Sequence, residues 1–197
     1  MTSSVASVPD TAFLHADDLP GQVKGVPERL ADGARPLPGF CGAAYDQSDR
    51  ITLRATFRLL YSSAGAPPES TPKAEVYQDI LVYREAGAGD FMTGLRAAVA
   101  GCAAQNDDAG VRVTNVLRGA VGAGDDSALI EQTRPATDDQ GDPAGDGSVQ
   151  RMYWAVLRVG DAIAFLAVVG WEGCSADLGD TVALGTKAAQ RLADWRA

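Results

Sequence analysis

Arginine and tyrosine at alternating positions are the side chains of this chain best placed to do chemistry. In Ile51–Tyr61 the odd positions are Ile, Leu, Ala, Phe, Leu and Tyr, which puts Arg54 and Arg58 together on the opposite side. Tyr77, Asp79 and Tyr83 alternate in a following stretch, Arg112, Thr114 and Arg118 in another, and Arg151 with Tyr153 in a fourth. If these sides coincide, an otherwise acidic protein carries a concave Arg/Tyr-rich surface. Guanidinium and phenol groups converging on a groove suit a small molecule that is partly apolar and rich in oxygen acceptors. Arg54, Arg58, Tyr77, Asp79, Arg151 and Tyr153 are therefore the expected ligand-binding residues. The same donors could stabilise charge developing on a substrate carbonyl, with Glu131 the first candidate for a general base. The competing reading is cross-strand charge pairing on a wet face, with Asp79 and Glu131 as the partners.

Other candidate chemistry is thin. The single histidine, His15, excludes any site built from two histidines and leaves a nucleophilic triad dependent on one N-terminal residue beside Asp17. Gly87-Ala-Gly89 precedes a helix but has Met92 where a dinucleotide fingerprint needs its third glycine, and Gly119–Gly124 lacks the Lys-Ser/Thr of a phosphate loop. Asp138, Asp139, Asp142 and Asp146 crowd one loop without the ligand order of a calcium loop, so a solvated acidic loop and no metal is the expectation. No cofactor motif is present, and none is expected. Cys41, Cys102 and Cys174 allow at most one intrachain disulfide and contain no Cys-x-x-Cys. Cys102 reads either as a buried thiol on a helix or as a partner of Cys41.

The elements that must hold these residues follow from periodicity. Strands are expected at Ile51–Tyr61, 75–84, 111–119, 128–133, Val149–Val159 and 162–171, with a further short stretch near 22–24. The 149–159 and 162–171 strands form a hairpin around Gly160-Asp161. Phe91, Leu95, Ala98, Val99 and Cys102 share one helical face behind an Asp90 N-cap, and Leu178, Val182, Gly185, Ala189 and Leu192 share one behind Asp180. Strands, helix, strands, helix is an α+β order: an antiparallel sheet of about six strands with two main helices packed on it. Residues 1–10 are a loose lead-in and 11–197 one α+β domain.

Composition bounds the partners. The 197 residues carry a net charge of −9, which argues against nucleic acid and anionic membrane surfaces. No apolar run reaches the roughly 20 residues of a membrane span. The N-terminus has neither a basic nor an apolar leader region, so the protein is expected to be cytoplasmic, or extracytoplasmic if an export signal has been removed ahead of Met1.

Several segments together resemble a known family. They are Phe13-Leu-His-Ala-Asp-Asp-Leu-Pro20, Phe40-Cys-Gly-Ala-Ala-Tyr45, Val82-Tyr-Arg-Glu-Ala86, Leu95-Arg-Ala-Ala-Val-Ala-Gly-Cys102, Val156-Leu-Arg-Val-Gly-Asp-Ala-Ile-Ala-Phe165 and Ala188-Ala-Gln-Arg-Leu192. Over most of residues 12–195 the chain is similar to the PknH-like extracellular sensor domains of actinobacteria, which include stand-alone lipoproteins. The resemblance implies a helix-packed antiparallel sheet and a solvent-open cleft held to bind an unidentified ligand. It also places Cys41 and Cys102 where a family disulfide sits, while Cys174 has no partner for a second one. Two functions are thus expected from one cleft: a small-molecule-binding sensor-like domain or, alternatively, a cofactor-independent cyclase or isomerase of actinobacterial secondary metabolism.

Overall fold

The computed structural model describes residues 7–31, 35–137 and 144–197. Eight strands form one antiparallel sheet in the order β1-β2-β3-β8-β7-β6-β5-β4. They are β1 (Val23–Leu30), β2 (Ile51–Tyr61), β3 (Ala74–Tyr83), β4 (Ala104–Asn106), β5 (Arg112–Gly119), β6 (Asp126–Pro135), β7 (Val149–Val159) and β8 (Ala162–Gly170). Two helices, α1 (Gly87–Gly101) and α2 (Leu178–Arg196), cover opposite faces.

The α+β antiparallel expectation holds, and the count of about six strands is corrected to eight. The two strands beyond the six are sheet edges, and the short stretch expected near 22–24 is the start of the first of them. In β1 the register slips between Lys24 and Glu28, around Gly25 and Pro27, which interrupts its alternation. β4 is three residues long, too short to carry a period, and the end of the α1 pattern runs into it. Neither helix is capped where expected. α1 begins three residues before Asp90, which instead pairs with Arg50 at 2.6 Å. The N-cap of α2 is Asp177, whose carboxylate accepts from the Asp180 amide at 2.8 Å. Asp180, one turn in, takes Lys73 at 2.7 Å and the Tyr61 hydroxyl at 2.9 Å.

Each face of the sheet packs its own core. On the α2 face, Leu59, Val76, Ile80, Ala155, Leu157 and Leu166 meet Leu184, Ala188 and Leu192. Gly185 brings this helix close: a Cβ there would stand 3.0 Å from that of Ala155. On the α1 face, Phe91, Leu95 and Val99 pack on Leu81, Ile130, Trp154, Val156 and Phe165. The central strand β8 is buried along nearly its whole length because both faces are covered.

The long connection from β1 to β2 crosses the α1 face as an arch. Phe40 is fully buried against Trp154 and Tyr45, and Tyr45 packs on Phe91 while its hydroxyl donates to the Pro38 carbonyl at 2.7 Å. A disulfide joins Cys41 to Cys102 with Cα atoms 5.6 Å apart. Gln105 clasps the same point, accepting from the Cys41 amide and donating to the Gly39 carbonyl, each at 2.6 Å. Cys41 (φ 49°) and Gln47 (φ 50°) hold left-handed backbone that non-glycine residues rarely adopt. The described part of this connection, residues 35–50, is anchored at several points and holds two left-handed non-glycine residues, features that recur at functional sites.

Candidate functional site

Register decides which side chains meet. On the α1 face one row runs Arg58, Tyr77, Ala167, Trp154 and Ile130 across β2, β3, β8, β7 and β6. The next row is Leu60, Glu75, Val169, Met152 and Gln132, and the row on the other side carries Asp79 and Phe165. Arg54, Arg58, Tyr77 and Asp79 therefore share a face, as expected. Arg151, Tyr153, Glu131 and Arg118 lie on the α2 face. The single Arg/Tyr surface is thus corrected to two clusters on opposite sides of the sheet. The cause is parity: Tyr153 pairs with Val168 and Trp154 with Ala167, so even positions of β7 join the odd positions of β3.

Within each cluster acids meet the arginines. Asp79 is buried and accepts from Thr56 Oγ1 at 2.6 Å and from Arg54 Nη2 at 3.2 Å. Arg54 Nη2 also donates to the Arg35 carbonyl at 2.5 Å, tying the arch to the sheet. Arg58 hydrogen-bonds Glu75 through Nε and stands 3.6 Å from Glu28. On the α2 face Glu131 is buried, 2.9 Å from Arg118 Nε and 3.7 Å from Arg151 Nε. Burial pushes the Tyr153 hydroxyl pKa up, and the neighbouring Glu131 charge adds to it. Glu131 is therefore a buried ion-pair partner, separated by the sheet from Arg54 and Tyr77. A cofactor-free enzyme using all of them in one cleft lacks its geometry.

The arch leaves one end of the α1 face open, and a cleft of about 350 Å³ lies between it and strands β4–β7. Arg35, Pro38 and Gly39 form the arch side, Gln105 to Asp108 the far rim, and Gln132, Met152 and Trp154 the floor. A narrower extension reaches Arg134, Gln150 and Val169 and shares Gln132 and Met152 with the main volume. The cleft is predominantly polar, with Met152 and Trp154 its main apolar side chains.

Three donors here have no acceptor among the described residues. Trp154 is 2% exposed, and its indole Nε1 is buried without a hydrogen-bond partner. Arg134 Nε is in the same state. Arg35 rests its guanidinium on the Tyr77 ring, 4.1 Å from the centroid. Burial draws the Arg35 pKa down, opposed by the charges of Asp79, Tyr77 and Glu75. A buried N–H left unmade costs about 1–3 kcal/mol, so such groups are kept where something other than packing requires them. Arg54 lies on the other side of the arch, beside a second hollow of about 290 Å³ lined by Pro36 to Gly39 and Tyr45.

Arg35, Gln132, Arg134, Met152 and Trp154 escaped the sequence reading. Met152 and Trp154 flank Tyr153 and were legible as the opposite side of its strand. Arg35 sits in a Pro/Gly-rich connection that offers no period. Among the described residues no group of three or more His, Cys, Asp or Glu could hold a metal, and no helix is long and apolar enough to cross a membrane. Asp138, Asp139 and Asp142 lie outside the described residues.

The fold is an eight-stranded antiparallel sheet with a helix on each face and an arch pinned over one of them. It is shared with a solved structure, the extracellular domain of PknH from Mycobacterium tuberculosis, at a TM-score of 0.60 over 93% of each chain and with 15% sequence identity. No protein-family model matches the chain, and no curated protein does.

Proposed function

We propose that this protein is a sensor-like binding module that takes a small, partly apolar, oxygen-bearing molecule into the cleft between the arch and the end of the sheet. The observation that carries the reading is that Trp154, a residue of the cleft lining, has a buried indole N–H without an acceptor among the described residues. A ligand oxygen there would supply the missing bond, and Tyr77 with Arg35 would form the wall beside it. The fold is shared with the extracellular domain of PknH, which supports an extracytoplasmic setting for such a module.

The test uses Nile red, a neutral dye that brightens in apolar sites. It is titrated into wild-type protein and into Met152→Trp, which fills the floor of the cleft. Saturable binding to the wild type that is lost in the variant, at unchanged melting temperature, supports the proposal. Equal binding to both proteins, or none to either, refutes it.

A further inference from the structure

The chemistry of the cleft narrows its ligand. Its buried unmet groups are donors, Trp154 Nε1 and Arg134 Nε, and the Arg35 guanidinium has no carboxylate within ion-pairing distance among the described residues, while the acceptors Asn106 and Asp108 stand on the exposed rim. The amide donors on the floor are already engaged, Gln132 Nε2 with Asn115 Oδ1 at 2.9 Å and Gln150 Nε2 with the Cys174 carbonyl at 3.1 Å. A ligand must therefore bring acceptors. Arg35 and Trp154 line the same main volume, and Arg35 stands over the row that holds Trp154. Tyr77 and Trp154 are two strands apart in that row, about 10 Å, with only Ala167 between them. Ala167 is fully buried and the indole Nε1 is shielded from solvent, so an anionic oxygen held by Arg35 meets the N–H where the indole edge turns toward the cleft. A guanidinium bonds a charged acceptor about twice as strongly as a neutral one, so a carboxylate is favoured over a ketone or an alcohol.

Two observations limit the charge to one. Asp107 and Asp108 line the same cleft, and Asp79 and Glu75 already act on Arg35. The whole chain carries −9. A second negative charge on the ligand would meet this field without a further unpaired cation in the main volume. Among the polar side chains of the lining, Met152 and Val169 form an apolar strip from the main volume into the extension, and methionine adapts to a chain of variable shape.

Resting on the binding function proposed above, we infer that the ligand is an amphipathic monocarboxylate. Its carboxylate bonds Arg35 and the Trp154 indole N–H, and its apolar chain lies on Met152 and Val169. Arg134, in the extension, adds positive potential along the chain and a donor for a second, neutral oxygen.

The probes are decanoate, decanol and decyl phosphate, each competing with Nile red at pH 7. Decanoate should displace the dye at a concentration about tenfold or more below that of decanol, the value of one charge-assisted hydrogen bond. It should also outcompete decyl phosphate, which is largely dianionic at this pH. Trp154→Phe and Arg35→Gln should each weaken decanoate about tenfold and decanol less than threefold. Trp154→Phe removes an unpartnered donor but also trims a core ring, so a cooperative melt lowered by only a few degrees separates lost binding from lost fold. Decanol or decyl phosphate binding as tightly as decanoate overturns the monocarboxylate while leaving the cleft as a binding site. So does Nile red binding that no probe displaces. Absence of Nile red binding overturns the binding function itself and this inference with it.

Discussion

Replacing Asp79 with Asn should destabilise the protein far more than its small change in shape suggests. The Asp79 side chain is 3% exposed and that of Arg54 23%. The carboxylate accepts from Thr56 at 2.6 Å and Arg54 at 3.2 Å. In Asp79→Asn the amide oxygen can keep Thr56, but Arg54 loses its counter-charge and retains only the Arg35 carbonyl. Removing one partner of a fully buried pair costs about 3–5 kcal/mol. Arg54 keeps some contact with solvent, so the expected loss is about 2–3 kcal/mol. Arg54→Met replaces the guanidinium with an apolar chain, and in the double variant most of the Asp79→Asn penalty should vanish, a coupling of about 1.5–3 kcal/mol. Urea unfolding of the four proteins at pH 7 measures both numbers. A loss below about 1 kcal/mol for Asp79→Asn, or additive effects in the double variant, would show that the pair does not hold the arch to the sheet.

Three further outcomes follow from the geometry. Under non-reducing conditions the denatured chain should titrate one thiol, Cys174, and after reduction three; because the bridged residues are 61 apart, reduction should cost about 4 kcal/mol in the loop-entropy model, read by urea unfolding. Arg96 donates to both carboxylate oxygens of Asp126 and to the Ser127 carbonyl, and this bonding, against some desolvation, holds the Asp126 pKa below its usual 3.8. Its stabilisation is thus present above pH 3.8 and lost as pH falls through the depressed value, so Arg96→Gln should cost about 1 kcal/mol at neutral pH and converge with the wild type in acid-dependent thermal melts. Gly170→Ala would put a Cβ 2.0 Å from the Cys174 backbone oxygen, forcing apart β8 and the turn after it, and should lower stability by about 3 kcal/mol or more in the same urea assay.

Strand periodicity was legible wherever one face is wet or a turn is short. Ile51–Tyr61 and Val149–Val159 have the bounds that alternation gives them. The two-residue turn at Gly160-Asp161 fixes the β7–β8 register, Val159 opposite Ala162, from sequence alone. The β3–β8 pairing is different. Its partners are some 90 positions apart in the chain, and nothing local says whether Asp79 faces Phe165 or a neighbour. That one register decides whether Tyr153 or Trp154 joins Tyr77, and with it the composition of the site. Arg54, Arg58, Tyr77 and Asp79 could be grouped because β2 and β3 each alternate cleanly. Their mutual neutralisation, and the clustering of unmet donors around Trp154, depend on contacts made by an arch whose path only tertiary packing defines.

The indole N–H of Trp154 is the most direct reporter of ligand binding. The chain has three tryptophans, Trp154, Trp171 and Trp195, and of these only Trp154 lines the cleft. A ¹⁵N-labelled sample should therefore show three indole N–H resonances, with that of Trp154 assigned by its loss in Trp154→Phe. On titration with decanoate this resonance should move downfield, as expected of a donor that gains an oxygen acceptor, while those of Trp171 and Trp195 stay in place. A Trp154 resonance that does not respond to a ligand the protein demonstrably binds would contradict the cleft as the site.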